Sequence, residues 1–219
     1  MLFAASPLEL LPARAALRGR VAVRAVVTGI GQQRATRAAG ALAARPATAV
    51  VTGFCGALVD RLREGDVVLA VSWCGAGGAE RIEAHRPLLD TAAAAIERAG
   101  LRWHAVAGAS VERPVNTREE RAALHKATGA ESVEMEDLAI ARRCRELGVP
   151  LLSLRVVSDT PATPLPDALL APEPRLPVRP REVAAAVRVA PHILLAMRRL
   201  RAASRAALPA VYLHAEAHR

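Results

Sequence analysis

ESVEMEDLAIARRCRELGVPLLSLRVVSDT, residues 131–160, has the clearest pattern of secondary structure and of acidic residues in the chain. Residues 132–135 predict a short strand, and residues 137–147 predict a helix because apolar side chains recur at helical spacing. Gly148 ends that helix, and residues 151–157 have the apolar, β-branched composition of a buried strand. The stretch therefore predicts a strand–helix–strand unit, and a right-handed crossover would make its two strands parallel.

Acidic side chains stand at the predicted end of each strand of this unit. Glu134 and Glu136 belong to the end of the first strand, and Ser158 and Asp159 follow the second. Parallel strands end at the same edge of a sheet, and open α/β sheets bind their ligands along that edge. The alternative interpretation is structural: Glu136 and Asp137 favour the positive N-terminus of the helix, and Asp159 belongs to a turn.

The composition narrows the class of protein. With 219 residues, the chain is long enough for one domain with a sizeable core. Lysines and arginines number 30 against 21 acidic residues, and the net charge of +9 suits an anionic partner. Only 2% of the residues are aromatic, so few side chains could stack on single-stranded bases. Nucleic-acid binding is therefore not expected.

The cysteines and the apolar runs predict the compartment. Cys55, Cys74 and Cys144 are odd in number, and their spacing fits neither a metal site nor a disulfide framework. Reduced thiols predict a cytoplasmic protein. The apolar run at residues 1–5 is too short for a signal peptide. No later run is long and apolar enough to cross a membrane.

Two motifs within residues 131–160 resemble a family signature. VEME at residues 133–136, a helix, and LRVVSD at residues 154–159 are similar to the signature of the purine nucleoside phosphorylase and nucleosidase superfamily. TGIG at residues 28–31, TGFCGA at residues 52–57 and LREGDVV at residues 62–68 are similar to further motifs of that superfamily. The resemblance therefore covers most of the chain.

Two further runs narrow the resemblance. KATGA at residues 126–130 and LPDAL at residues 165–169 are most similar to the hopanoid-associated phosphorylases. The resemblance implies an α/β fold, with one three-layer αβα domain over residues 1–219 and a central mixed, twisted sheet. It also implies a homo-oligomer. The Pro-rich composition of residues 160–181 predicts a crossing loop.

Members of this superfamily cleave the N-glycosidic bond of a nucleoside. The resemblance implies a purine nucleoside, with adenine as the expected base and adenosylhopane as the substrate that the subfamily suggests. Asp159, helped by Ser158, would donate to N7 of the base, and Glu136 would bind the ribose hydroxyls. The other implied contacts are Met135 against the sugar, Glu134 beside it, and Arg155 as structural support of the carboxylates.

The attacking group stays open. Inorganic phosphate, bound by the backbone of Gly31 and by Arg34, would give phosphorolysis, which the subfamily resemblance favours. Water positioned by Glu9 would give hydrolysis, as in nucleosidases for methylthioadenosine or futalosine. A turn is expected at residues 53–56, where Gly53 would let the backbone approach the substrate. This turn has Phe54 where many superfamily phosphorylases have a phosphate-binding serine, and this keeps hydrolysis open. Neither route needs a metal or an organic cofactor.

The residue that stacks on the base is a second open point. Superfamily members commonly place an aromatic residue after the strand that we predict at residues 103–107, where this chain offers only Val111. Phe54 or Trp73 could replace it. Residues 73–78 predict a flexible loop and a candidate lid. A catalytically silent nucleoside-binding protein is therefore a third hypothesis.

The C-terminal region, residues 182–208, predicts one helix or two, at residues 182–189 and 192–207. Its apolar stripe is typical of packing against a sheet. Its arginines also make it a basic amphipathic helix, which can lie on an anionic bilayer. The second interpretation implies a position at the inner face of the membrane.

Overall fold

The computed structural model of the protein describes residues 1–166 and 180–218. Most of the predicted crossing loop, residues 160–181, lies outside these ranges. The strands are β1 Leu2–Ala4, β2 Ala25–Val27, β3 Ala49–Ala57, β4 Val67–Gly75, β5 Arg81–Glu83, β6 Trp103–Ser110, β7 Ser132–Glu134 and β8 Leu151–Asp159. The helices are α1 Pro7–Leu17, α2 Gln32–Ala38, a 3₁₀ segment Ala39–Ala44, α3 Arg86–Arg98, α4 Arg118–Thr128, α5 Asp137–Leu147 and α6 Pro180–Ala217.

Helices cover both faces of the central sheet. Because side chains alternate along a strand, Leu2 and Ala4 pack with α1, α3 and α6, whereas Phe3 packs with α2 and α5. Leu152 and Leu151 divide between the two faces in the same way. The expected α/β fold with a central mixed sheet is confirmed.

Strand β3 is the centre of the sheet. Its first half pairs in parallel with β1, its last residues pair antiparallel with β7, and β8 runs parallel along almost its whole length. Strand β8 also pairs antiparallel with β4, so the path β3–β7–β6–β4–β8 returns to β3. A separate apolar cluster lies among these strands, and it contains Cys55, Ala57, Val68, Val106 and Val157.

The prediction that the two strands of the strand–helix–strand unit at residues 131–160 are parallel is wrong. Strand β7 is antiparallel to β3, whereas β8 is parallel to it, so β7 and β8 run in opposite directions. Helix α5 joins two strands that both pair with β3 but not with each other. The acidic ends still meet, because Val133 and Asp159 both lie opposite Gly56 of β3.

Two predicted loops are strands. The turn expected at residues 53–56 continues β3, and residues 73–75 of the candidate lid belong to β4. Trp73 is 1% exposed and packs against α5, so it belongs to the core. The lid hypothesis is therefore wrong for these residues.

The C-terminal region forms one helix, α6, which continues through Pro191 and Pro209. A proline inside a helix removes a hydrogen bond and favours a break. Here Val189, Ala196 and Leu200 are buried on the same side of the helix before and after Pro191, and this packing holds the two parts of the helix against the protein. Within residues 1–166 and 180–218, no helix has the length and hydropathy needed to cross a bilayer.

Candidate active site

A cavity of about 470 Å³ lies between α1, α6 and the strands β3, β7 and β8. Its wall is mostly apolar, and acidic side chains interrupt it. Gly53, Gly31 and Arg34 lie outside the wall. The residues expected from sequence that do line the cavity are Glu9, Phe54, Val111, Glu134, Met135, Glu136, Arg155, Ser158 and Asp159.

A single guanidinium holds three carboxyl groups at one end of the cavity. Nη2 of Arg155 lies 3.2 Å from Glu134, 3.3 Å from Glu136 and 2.5 Å from Asp137. Its Nη1 donates to the carbonyl of Phe54 at 2.8 Å. Arg155 therefore lies between these carboxyl groups and β3, and its role as their structural support stays a prediction.

Asp137 is a member of this cluster that sequence reasoning missed. Its Oδ2 accepts from Ser153 Oγ at 2.6 Å and from Trp73 Nε1 at 3.2 Å. The sequence suggested only that Asp137 favours the helix N-terminus. It is instead the partner that fixes Arg155 from the side away from the cavity wall, because Asp137 itself does not line the cavity.

The cluster contains more negative than positive charge, and it is buried. Burial raises the pKa of Glu134 to about 8, and the charge of Asp137 adds to this effect while Arg155 opposes it. Burial also raises the pKa of Glu136 above its ordinary value, again against the effect of Arg155. A proton shared within the cluster lowers the cost of placing three carboxylates around one cation.

The start of α5 positions Glu136. The backbone N–H groups of Glu136 and Asp137 both donate to Glu134 Oε2 at 2.6 Å. Glu136 Oε1 accepts from the backbone N–H of Gly31 at 3.0 Å. The Gly31 N–H that the sequence assigned to phosphate is thus bound to a carboxylate in this structure.

Glu9 links α1 to β3 at the cavity wall. The backbone N–H of Ser6 donates to Glu9 Oε2 at 2.9 Å, and the backbone N–H of Glu9 donates to Ser6 Oγ at 3.4 Å, which together form a capping box. The hydroxyl of Ser6 also donates to Glu9 Oε2, at 2.9 Å. The backbone N–H of Phe54 donates to Glu9 Oε1 at 2.9 Å. A Cβ at Gly53 would lie 2.4 Å from Oε1, so this approach of β3 to Glu9 requires glycine. Glu9 is buried, and three donors fix its orientation.

Asp159 also lines the cavity, and it has two partners. Ser158 Oγ donates to its Oδ1 at 2.6 Å, and Nη2 of Arg121 binds its Oδ2. Burial raises the pKa of Asp159, whereas Arg121 and then Ser158 lower it. A Cβ at Gly56 would lie 2.9 Å from Oδ2, so β3 must also have glycine here.

Arg121 is the second residue that sequence reasoning missed. It is 1% exposed, lines the cavity, and donates from Nη1 to the carbonyl of Ala57 at 2.9 Å. A signal was present in the sequence, because Arg121 shares the buried stripe of α4 with Leu124 and Thr128. An arginine in such a stripe needs a buried acceptor, and Asp159 supplies it.

Of the three residues considered for stacking on the base, two line the cavity and one does not. Phe54 and Val111 both line the cavity, and Phe54 is half-buried. Trp73 does not line it and donates its indole N–H to Asp137, so the hypothesis that Trp73 stacks on the base is wrong. Phe54 and Val111 are the platforms that the structure leaves.

Comparisons with known proteins identify a family and a fold. The family model for the phosphorylase superfamily matches residues 12–190. No curated protein sequence matches the chain. The fold is similar to 5′-methylthioadenosine/S-adenosylhomocysteine nucleosidase from Neisseria meningitidis, solved with methylthio-immucillin-A (TM-score 0.73, 18% identity, 96% of each chain covered).

A second similar structure is the native futalosine hydrolase of Helicobacter pylori. Its TM-score is 0.68 at 17% identity, and the match covers 99% of this chain and 96% of that one. The Campylobacter jejuni methylthioadenosine nucleosidase gives a TM-score of 0.66 at 16% identity, covering 90% of this chain and 97% of that one. At these identities the structural matches establish the fold.

Proposed function

The chain belongs to the phosphorylase superfamily, and we propose that it hydrolyses the N-glycosidic bond of a purine nucleoside in the cavity described above. The observation that carries the proposal is the placement of Glu9, Glu136 and Asp159 on the wall of one cavity. Family membership confirms the expectation of a nucleoside-cleaving enzyme. The role of each residue and the identity of the attacking group belong to the proposal.

The sugar is assigned to the Arg155 cluster. Cleavage leaves positive charge on the ribose, and an anionic group beside the ring stabilises that charge in the transition state. Glu136 lines the cavity and is held by Arg155 and by the Gly31 N–H. Met135, its neighbour on the same wall, would pack against the apolar face of the sugar.

The base is assigned to Asp159. A departing purine accumulates negative charge, which a proton or a hydrogen bond at N7 relieves. Burial raises the pKa of Asp159 and so favours the protonated form that can donate. Arg121 then lies where it can stabilise the carboxylate that remains after the proton has moved. Adenine as the base remains a prediction from the resemblance.

Water is the attacking group that the site supports best. Glu9 is fixed by Ser6 and by the Phe54 N–H, and it can accept a hydrogen bond from a water in the cavity. Within the part of the chain that the structure describes, the arginines that line the cavity are Arg121 and Arg155, and both are bound to carboxylates. A phosphate dianion in the cavity would therefore be repelled by Glu9 and Glu136, and neither of these two arginines is free to compensate that repulsion.

The three similar structures named above are two methylthioadenosine nucleosidases and a futalosine hydrolase, and their names describe hydrolytic enzymes. This agrees with the choice of water. Phosphorolysis, with inorganic phosphate as co-substrate, and the choice of adenosylhopane as substrate remain predictions from the resemblance.

The experiment uses purified protein with adenosine and its 5′-substituted analogues in buffer without phosphate. We expect release of the base with the free sugar as the second product, and Glu9→Gln to slow release about 100-fold or more because a neutral amide orients water poorly. The matched control is Glu119→Gln, at an exposed glutamate of α4. Equal loss in both variants would contradict the assignment of Glu9.

A further inference from the structure

Helix α6 presents a continuous stripe of exposed side chains along its outer face. At about 100° per residue, its six members fall within a sector of about 60°, and the stripe is about 33 Å long. The valines and the leucine are well exposed, at 42%, 68% and 56%. In chain order the members of this α6 stripe are Val183, Val187, Leu194, Arg198, Arg201 and Arg205.

The opposite face of α6 is firmly packed. Leu200, Ala203 and Ala207 are fully buried against the core that α1 and α3 share. Tyr212, near the end of the helix, donates its hydroxyl to the carbonyl of Met1 at 2.7 Å. The α6 stripe is therefore held in place before any partner arrives, and a partner need not order it.

The arginines of the stripe have no ion-pair partner among the residues that the structure describes. Among residues 1–166 and 180–218, no carboxylate forms an ion pair with Arg198, Arg201 or Arg205. The chain as a whole has a net charge of +9. Three adjacent arginines without a carboxylate suit an anionic surface.

We propose that the α6 stripe docks on the surface of an anionic lipid bilayer. The arginines would contact headgroup phosphates, and Val183, Val187 and Leu194 would enter the boundary between headgroups and acyl chains. A nucleic acid matches the arginines but offers nothing to the apolar half, and the stripe has no aromatic side chain for stacking. The bilayer is the partner that satisfies both halves at once.

A second copy of the chain fits the stripe less well. Two stripes paired in antiparallel fashion place arginines on the apolar half, and two paired in parallel place arginines on arginines. Neither arrangement neutralises the charge.

The test is sedimentation of the full chain with vesicles at low salt. The vesicles are phosphatidylcholine alone, or phosphatidylcholine and phosphatidylglycerol in equal parts. One variant changes Arg198, Arg201 and Arg205 to glutamine, and a second changes Val187 and Leu194 to serine. The matched control changes three exposed arginines elsewhere, Arg20, Arg37 and Arg98, to glutamine.

We expect the unaltered chain and the control to bind the mixed vesicles and not phosphatidylcholine alone. The triple stripe variant should bind about 100-fold more weakly, from the contribution of each arginine at an anionic surface. The serine variant should also lose binding. Equal binding by the stripe variant and the control would overturn the proposal. So would binding to duplex DNA without binding to vesicles, or a change of oligomeric state in the stripe variants.

Discussion

The guanidinium of Arg121 is bound to the carboxylate of Asp159, although the two residues stand 38 positions apart and belong to α4 and β8. Both side chains are buried, with 1% and 6% of their surface exposed. A buried cation beside a candidate proton donor makes that donor more acidic. The pair therefore links the packing of α4 to the chemistry assigned to Asp159.

Replacing Arg121 by methionine removes the cation at similar volume. We expect the pKa of Asp159 to rise further, so the alkaline limb of kcat/KM should move up by about one to three pH units. The maximal rate should fall, because the carboxylate left after proton transfer has lost its partner. The measurement is a pH profile, with Arg121→Lys expected to stay near the original limb. If Arg121→Met leaves the pH profile unchanged, the ion pair between Arg121 and Asp159 does not affect catalysis.

Replacing Asp159 by asparagine keeps the shape and removes the acid. For purine nucleosides we expect kcat/KM to fall about 100- to 10,000-fold. A para-nitrophenyl riboside should lose much less, because its leaving group departs as a stable anion and needs no proton. Steady-state rates on both substrates provide the comparison. Equal losses would show that Asp159 acts on the sugar or on the fold.

Glu134 should make the free energy of unfolding depend on pH. Its pKa in the folded chain is raised from 4.5 to about 8, so folding favours its protonated form. The stability that this protonation gives is fully present below 4.5 and is lost as the pH rises through about 8.

Glu134→Gln should therefore flatten the fall in unfolding free energy between these two pH values. Denaturant unfolding at several pH values tests this, with Glu119→Gln as the exposed control. If both variants follow the unaltered chain, Glu134 is ionised in the folded state.

Gly53 is predicted to be essential for placing Glu9. An added Cβ would lie 2.4 Å from Glu9 Oε1 and 3.2 Å from Arg155 Nη1, so Gly53→Ala must displace the carboxylate. We expect a loss of activity similar to that of Glu9→Gln. The control is Gly77→Ala, because a Cβ at Gly77 meets nothing within 4 Å. Full activity of Gly53→Ala would mean that the position of Glu9 is unimportant.

The strands and the helix of residues 131–160 were predictable, because each depends on the spacing of apolar side chains and on nearby residues that end a helix or strand. The helix over residues 137–147 has the predicted bounds, and its Gly148 adopts the left-handed conformation of a C-cap. The direction of β7 relative to β8 was not predictable. It depends on pairing with β3, which lies far away in the sequence.

The site was predictable where a motif marks it and not where packing alone does. Glu134, Glu136 and Asp159 belong to runs with recognisable neighbours, and all three line the cavity. Arg121 and Asp137 acquire their roles from buried partners on other elements. The helical spacing of Arg121 with Leu124 and Thr128 indicates that Arg121 is buried, but it does not identify Asp159 as the partner.

The most direct test of the central claim is release of free purine base from adenosine-type nucleosides by the purified chain, with and without inorganic phosphate. Hydrolysis at the site of Glu9, Glu136 and Asp159 predicts release at the same rate in both conditions, with free ribose as the second product. Release that requires phosphate and yields ribose 1-phosphate would contradict the assignment of water as the attacking group. No release from any nucleoside would contradict the proposed activity itself.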